Sequence, residues 1–555
     1  MSVIIKAVPS YEKCFFDESF DAKQTLESAA CLRGEEFHFE VVFTTEDSPA
    51  WLLGEVVTLA VKSPLAEKIT FERVEQVPVR FPCYPLRSDE DYLRKTPGLY
   101  PDLLVPVCPG DPVEVPFRAL ASLYVTVCVP ETLAPGDYDI TVALVSENGT
   151  EYEASLVLSV LDAVLPCGKL IYTEWFHVDC IADAYGIEIF SETHWKYIES
   201  YMRCAVKNGV NAILTPVFTP PLDTAEGGER PTVQLVDVMR DSAGWHFSFE
   251  RLHRWISLCL RCGIEYFEIS HLFTQWGAAH APKIVGIADG KKQKLFGWET
   301  DSLSDEYIGF LRAFLTAFLS EMKKLGLDRK CIFHISDEPG MAHLERYRAL
   351  KNSISDLLCG YRIVDTLSDF DFYQTGAVDM PIPASDRIEP FLAAGIENLW
   401  TYYCCAQGRE VSNRFIAMPA SRTRIIGAQL WKYRIEGFLH WGYNFWYTRF
   451  SKRKIDPYVI LDGGCFAPAG DCFSVYPGPG GMPYQSLHMK AFTEALTDLR
   501  AMYLAESLCG REAVLRAVEK EGEITFSRYP RETNTAFALR SRINDLIRHA
   551  VKNKD

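Results

Sequence analysis

The chain reads as a multidomain β plus α/β protein: an N-terminal antiparallel β-sandwich, then a (β/α)8 TIM-like barrel, then a short helical C-terminal extension. Three observations predict this. Tyr138, Ile140, Val142 and Leu144 alternate with polar or small residues, Asn148-Gly149 supplies a hairpin turn, and Tyr152, Ala154, Leu156, Leu158 and Val160 alternate back, the period-two pattern of strands with one buried face. Past Leu165-Pro166-Cys167-Gly168 the texture changes to short apolar runs separated by amphipathic stretches, the cadence of parallel β/α units. Chemically unusual residues then fall near the C-terminal ends of those runs, where barrel active sites are built.

The elements follow in order. Residues 1–165 form the sandwich, punctuated by Pro135-Gly136 and by the proline-rich stretch from Pro101 to Pro116. Residues 166–509 hold eight strand candidates: Leu170 to His177, Ala212 to Phe218, Tyr266 to His271, Cys331 to Ser336, Tyr361 to Thr366, Val378 to Ile382, Asn398 to Cys404 and Gly437 to Trp446. Between them the spacing predicts helices such as Trp195 to Lys207, Phe249 to Cys262, Ile308 to Leu325 and Leu344 to Leu357. Gly463 to Gly481 reads as a long loop over the same face, and Gln485 to Leu508 as a helix. Residues 510–555 make the extension, helical near Thr533 to Lys552.

Composition narrows the class. With 555 residues, 48% hydrophobic and 24% charged, the chain is globular and too long for one core. A net charge of -17 argues against a nucleic-acid or anionic-membrane partner, since phosphates require a basic surface. The start, Met1 to Pro9, has too short an apolar stretch for a signal peptide, and no later segment approaches membrane-spanning length, so a cytoplasmic location is expected. Seventeen cysteines, an odd number scattered through apolar segments, fit buried reduced thiols. Cys259 and Cys262 have ligand spacing but no matching second pair, so no metal and no cofactor is expected. The chain has no His-Glu-x-x-His, no phosphate-binding Gly-Lys-Ser/Thr loop and no Gly-x-Ser-x-Gly elbow.

Ser336-Asp337-Glu338-Pro339 carries the chemistry. It sets two adjacent carboxylates where the run Cys331 to Ile335 leaves its strand, and a chain turning out of a strand brings both to the rim of one pocket. One carboxyl held protonated beside one ionised supplies the split roles of acid-catalysed bond cleavage. Burial beside an ionised Asp337 is expected to raise Glu338 and keep it protonated for the leaving oxygen. Many barrel glycosidases pair a fourth-strand Glu with a second Glu at the end of the seventh. Here the seventh candidate reads Leu399-Trp400-Thr401-Tyr402-Tyr403-Cys404, without a carboxylate. An Asp beside the acid suits instead a substrate whose own 2-acetamido oxygen attacks the anomeric carbon, the Asp steadying the amide N–H.

With Phe333 to Pro339, Trp400 to Cys404, Gly437 to Trp446 and Tyr476-Pro477-Gly478, the chain resembles glycoside hydrolase family 123 and the related domain-of-unknown-function 4091 group, over roughly residues 165–510 and more loosely in the sandwich. The resemblance implies a retaining exo-acting β-N-acetylgalactosaminidase with an oxazoline-type intermediate, Glu338 as general acid/base and Asp337 orienting the acetamido group. The chain departs from the family at Ser486-Leu487-His488-Met489-Lys490, where the family's late helix carries Arg followed closely by Glu.

Further residues complete the expected site. Tyr402 is either the hydroxyl that bonds the acetamido carbonyl or a core tyrosine. Trp441 and Trp446 either floor a pyranose or fill the barrel, and Asn444 either donates to a sugar hydroxyl or shapes a turn. Trp175, His177 and Asp179 follow the first strand, and His271 and Trp276 the third, where sugar hydroxyls are read. The partner is an oligosaccharide or glycoside; homo-oligomerisation stays open. Two rivals stand beside this reading: a barrel glycosidase acting on a non-acetamido sugar, with Asp365, Asp369 or Glu389 as available carboxylates, and a non-catalytic carbohydrate-binding protein.

Overall fold

A computed structural model describes residues 2–46 and 54–553. Met1, Lys554 and Asp555, which open and close the segments read above, and residues 47–53 lie outside the described residues.

The N-terminal part consists of two sheets sharing one apolar core, with Val41, Phe43 and Val125 from one sheet and Leu59, Val142 and Leu156 from the other. The expected hairpin is present as Gly136–Val145 and Glu151–Val164, with Gly149 at φ +81, a conformation that favours glycine. Asn148 Oδ1 accepts the Thr150 N–H at 2.9 Å and fixes the turn. Two details differ from the expectation. Glu151–Val164 pairs in parallel with Ser28–Arg33, so the layer is not wholly antiparallel. The proline-rich stretch also contains strands, Gly98–Val107 and Pro112–Pro116, because its prolines sit where the ladder loses little. At Pro101 the register slips, so that Gln76 faces Pro101 and Glu75 faces Leu103. The residue passed over, Asp102, is fully buried and accepts from the Tyr476 hydroxyl at 2.6 Å and bonds His488 Nδ1 at 2.7 Å. His488, the departure noted above, is thus met by a buried acid.

All eight barrel strands form: Ile171–Glu174, Ala212–Thr215, Tyr266–Ile269, Cys331–Phe333, Arg362–Thr366, Met380–Ile382, Trp400–Tyr402 and Gly437–His440. They neighbour one another in sequence order, the first pairing the last through Ile171 and Gly437. Between the sixth and seventh strands one bridge, Ala384 to Tyr402, nearly completes the ring. Each strand is shorter than the apolar run that predicted it; six end before the run does, and the fifth and sixth end with it at Thr366 and Ile382. Helices follow the expected spans. Asp305–Lys324 is capped by Ser304, with acids in its first turn and lysines in its last, opposing the macrodipole. Glu250–Cys262 stops at Gly263, φ +102.

A small sheet of Asp237–Asp241, Gly244–Ser248, Ile284–Ala288 and Lys291–Phe296 was not anticipated. It is built from segments following the second and third barrel strands. Barrel and N-terminal layer are stitched together by Pro483–Ser486, which pairs with Gly98–Val107. Helix Leu487–Cys509 begins there, and Thr535–Lys552 packs on it. Among the described residues no helix is long and apolar enough to cross a membrane.

Candidate active site

The fourth strand ends at Phe333, and the chain leaves it through buried His334, Ile335 and Ser336. Asp365 of the fifth strand shapes that exit. Its Oδ1 accepts the N–H groups of Ile335 and Ser336 at 2.9 and 3.0 Å, and its Oδ2 accepts the Tyr347 hydroxyl at 2.5 Å. Burial pushes this carboxyl up to about 6, against His334 and the bonds it accepts.

The backbone then kinks at Glu338, φ +47, a left-handed conformation that costs a non-glycine residue about 1–3 kcal/mol. Thr366 of the fifth strand holds the kink. The Glu338 N–H donates to the Thr366 carbonyl at 3.2 Å and to its Oγ1 at 3.0 Å, and the Thr366 hydroxyl donates to Asp337 Oδ1 at 2.5 Å. The kink lets two consecutive side chains serve one mouth. Asp337 lies against the fifth strand, and Glu338 reaches the seventh, where the Tyr402 hydroxyl donates to its Oε1 at 2.6 Å.

Burial, then the neighbouring Glu338, push the Asp337 carboxyl up to about 8, with Asp223 adding to the effect and Thr366 and His334 opposing it. The expectation had placed the raised carboxyl at Glu338 beside an ionised Asp337. Burial instead raises Asp337 itself. A third acid, Asp223, follows the second strand at φ +47; burial pushes it up to about 7, against Arg230, with Glu338 and Asp471 raising it further.

Of the remaining expected residues, His271 is 1% exposed, and neither ring nitrogen has a protein partner. It stacks on His334 at 4.4 Å and meets Trp175 edge-on at 5.5 Å. Burial, then His334, hold it well below its usual range, so it is neutral. His334 bonds Glu268 Oε1 at 2.7 Å, and the same oxygen takes the Trp175 indole N–H at 2.8 Å. Trp175 is therefore buried with its donor engaged, a support for His271.

The structure separates four others from the carboxylates' immediate contacts. His177 is held at about 3 by burial and then by Arg230; its Nδ1 faces Arg230 at 3.2 Å and its Nε2 the Trp441 carbonyl at 3.1 Å. Arg230 in turn grips Asp179 with two bonds of 2.8 Å. Asn444 uses both ends of its amide on the His177 backbone, at 2.8 and 3.0 Å, which is the turn alternative. Trp441 gives its N–H to Asp471 at 2.9 Å. Trp446, 3% exposed, donates to the Val475 carbonyl and borders a cleft with Asp183, Tyr185, Lys454 and Tyr458, whose lining includes neither Asp337 nor Glu338.

The rival nucleophiles are occupied elsewhere. Asp365 clasps the strand exit, Asp369 caps the helix Phe370–Gln374, and Glu389 accepts from Ser527. Sequence reasoning missed Asp223, Thr366, Glu268, Glu174 and Asp471. Burial opposes charge on Glu174, but Arg414 at 2.7 Å and His440 hold it at about 2. Glu174 and Glu268 sit on strand candidates, and an acid inside an apolar run is a readable signal; Asp223 and Asp471 lie on loops and give none. A separate cleft of about 250 Å³ at Glu35, Arg424, Glu494 and Arg540 has its charges paired among themselves.

The family model Glycoside hydrolase 123, catalytic domain, matches residues 175–505. Among solved structures the chain is similar to a family 123 glycoside hydrolase from Clostridium perfringens, described for glycolipid glycan hydrolysis, at 16% identity over 100% of this chain and 99% of that one, TM-score 0.76. At that identity the likeness concerns the fold. A Bacteroides ovatus xyloglucanase in complex with a heptasaccharide aligns at 9% identity over 85% of this chain and 98% of that one, but its TM-score of 0.28 carries no argument. No curated protein matches.

Proposed function

The chain belongs to glycoside hydrolase family 123, and we propose that it is a retaining exo-acting hydrolase that removes terminal β-linked N-acetylhexosamine, foremost N-acetylgalactosamine, by substrate-assisted catalysis. One observation carries this reading: Asp337 and Glu338 share one mouth through the Thr366-held kink, while the seventh strand offers the Tyr402 hydroxyl instead of a second carboxylate. With no enzyme nucleophile facing Glu338 from that strand, the substrate's acetamido oxygen is the group left to attack the anomeric carbon.

The residues divide the work. Glu338 gives a proton to the leaving glycosidic oxygen and later takes one from water. Asp337 accepts the acetamido N–H and balances the positive charge that develops as the oxazoline ring closes. Tyr402, whose hydroxyl bonds Glu338 Oε1, turns to the acetamido carbonyl when substrate arrives. Asp337 holds a proton up to about pH 8, and the acetamido N–H takes that proton's place when substrate binds. His271 offers two unengaged ring nitrogens for sugar hydroxyls. We read residues 1–165 as a sandwich platform, 166–509 as the catalytic unit and 510–555 as an appended extension.

A second reading rests on Asp223, whose carboxyl is raised in part by Glu338. As a direct nucleophile it would serve a sugar without an acetamido group. A panel of aryl β-glycosides, with the first-formed product anomer followed by NMR, tests both. Turnover confined to N-acetylhexosaminides with a β product supports the proposal. Turnover of plain hexosides, with covalent labelling of Asp223 by a 2-fluoro glycoside, supports the second reading, and turnover of none removes both. The glycan of a glycolipid, the material described for the Clostridium perfringens relative, is the natural substrate to try first.

A further inference from the structure

We infer that the cleft lined by Trp276, Gln275, Thr274, His280, Trp298 and Phe450 is a subsite for the sugar next to the scissile bond on the leaving-group side. This rests on the hydrolase reading above.

Four observations support it. The cleft measures about 390 Å³, within the range of small-ligand sites, and opens to solvent. It borders the segment that carries the two acids, since the Trp276 backbone N–H donates to the Asp337 backbone carbonyl at 3.0 Å. Its aromatic wall is built under backbone strain: Trp276, Gly277 and Ala278 have φ of +55, +111 and +54, and facing Phe450 and Ser451 have φ of +60 and +55. Such runs persist only where the surroundings enforce them, and they collect at ligand sites. Here they leave the Trp276 ring 45% exposed and edge-on to Phe450 at 5.5 Å. Gln275, at 7% exposed, spends its Oε1 on the Asp223 N–H at 2.8 Å, and its buried Nε2 has no protein partner.

A buried amide donor without an acceptor is costly unless a ligand satisfies it. An exposed indole beside a polar donor matches the two faces of a pyranose, whose axial C–H groups pack on a ring while its hydroxyls bond at the rim. The terminal sugar of an exo-acting enzyme must lie over Asp337 and Glu338, so the adjoining open cleft is where the rest of the glycan leaves. The occupant is a neutral hexose or N-acetylhexosamine, in a glycan of two or more units.

The test compares two substrates of the same terminal sugar: a β-linked oligosaccharide, which fills the cleft, and the β-glycosyl fluoride, whose leaving group is too small to reach it. Trp276→Ala is expected to lower kcat/KM for the oligosaccharide roughly tenfold relative to the fluoride, Trp276→Phe to restore most of it, and Gln275→Glu, which keeps the acceptor for Asp223 and removes the donor, to lower it severalfold. An equal change on both substrates, or none, overturns the subsite. If the wild type turns over neither, the hydrolase reading fails. Calorimetric binding of the oligosaccharide then decides the cleft, loss in Trp276→Ala supporting it and unchanged binding overturning it.

Discussion

At the scale of single residues, the consequential fact is that a chain with two adjacent acids cannot treat them alike. Asp337 is enclosed and braced by Thr366; Glu338 is exposed and reaches Tyr402. Replacing each should therefore fail differently. Glu338→Gln should lower turnover of unactivated glycosides by about 10² or more, and much less for dinitrophenyl leaving groups, which need no proton. Asp337→Asn should impair both classes, since charge at the acetamido nitrogen develops whatever leaves. Equal loss on both substrates for the Gln variant contradicts the acid role. Because Asp337 holds its proton up to about pH 8, kcat/KM should fall as pH rises through that value, and Asp337→Asn should shift this alkaline limb. An unmoved limb assigns it to another group. The pair itself was legible in sequence, as an acid doublet closing an apolar run. That Asp337 is raised was not, because its burial depends on elements distant in sequence that pack on it, among them the loop of Asp223 and the strand of Thr366.

At the scale of elements, the site is made by what happens just past strand ends. The eight apolar runs located the strands, and most of them ran past the strand's end, to Ser336 beyond Phe333, His271 beyond Ile269 and Trp446 beyond His440, while Asp337 and Glu338 follow the fourth run directly. Alternation and apolarity report burial, and Ser336, His271 and Asn444 are as buried as a strand, so the pattern could not mark where pairing stops. The small sheet from Asp237 to Phe296 was missed because its strands are short and partly exposed, as in Lys291–Phe296. Asn444 and Trp446 each carried a sugar-facing and a packing alternative; Asn444 bonds the backbone of His177 and Trp446 packs on Tyr201. The exit of the fourth strand is the element to perturb. Thr366→Val removes the hydroxyl that links Glu338 N–H to Asp337 at a loss of about 1 kcal/mol in stability. It is expected to cut kcat about tenfold with an unchanged KM for aryl substrates, while Thr366→Ser restores it. Full activity in the Val variant would show that the kink holds without this bond.

At the scale of the whole molecule, the site leaves a mark on stability. Asp337, Asp223, Asp365 and Glu40 are pushed up to about 8, 7, 6 and 7, burial being the first cause in each. A carboxyl whose folded value exceeds its unfolded one holds its proton more tightly in the native state. Its contribution is complete below about pH 4 and is lost as pH rises through the folded value. Glu174, held at about 2, acts the other way: its contribution is present above the unfolded value and is lost as pH falls toward 2. The Tm should therefore be highest in mildly acidic buffer and decline from about pH 5 to pH 8. In Asp337→Asn the decline should be shallower, with a higher Tm at pH 8 and none of that gain at pH 5. A Tm that rises from pH 5 to pH 8 in the wild type contradicts the assignment of raised acids.

Two textures meet near Leu165: strands from Val3 to Val164 build the two sheets, with Tyr476–Pro477 and Pro483–Ser486 added to one of them, and the ring begins at Ile171. The joint between them was not readable. Pro483–Ser486 returns to the N-terminal sheet, and Asp102 at its bulge meets His488; such long-range pairs leave no local period.

The central claim is that the substrate supplies its own nucleophile between Glu338 and Asp337. Competitive inhibition by the thiazoline analogue of the N-acetylhexosamine that the enzyme releases measures this most directly. The account predicts binding at least a hundredfold tighter than that of the free sugar, weakened in Asp337→Asn and in Tyr402→Phe. Turnover of aryl glycosides undisturbed by the thiazoline at millimolar concentration would contradict it.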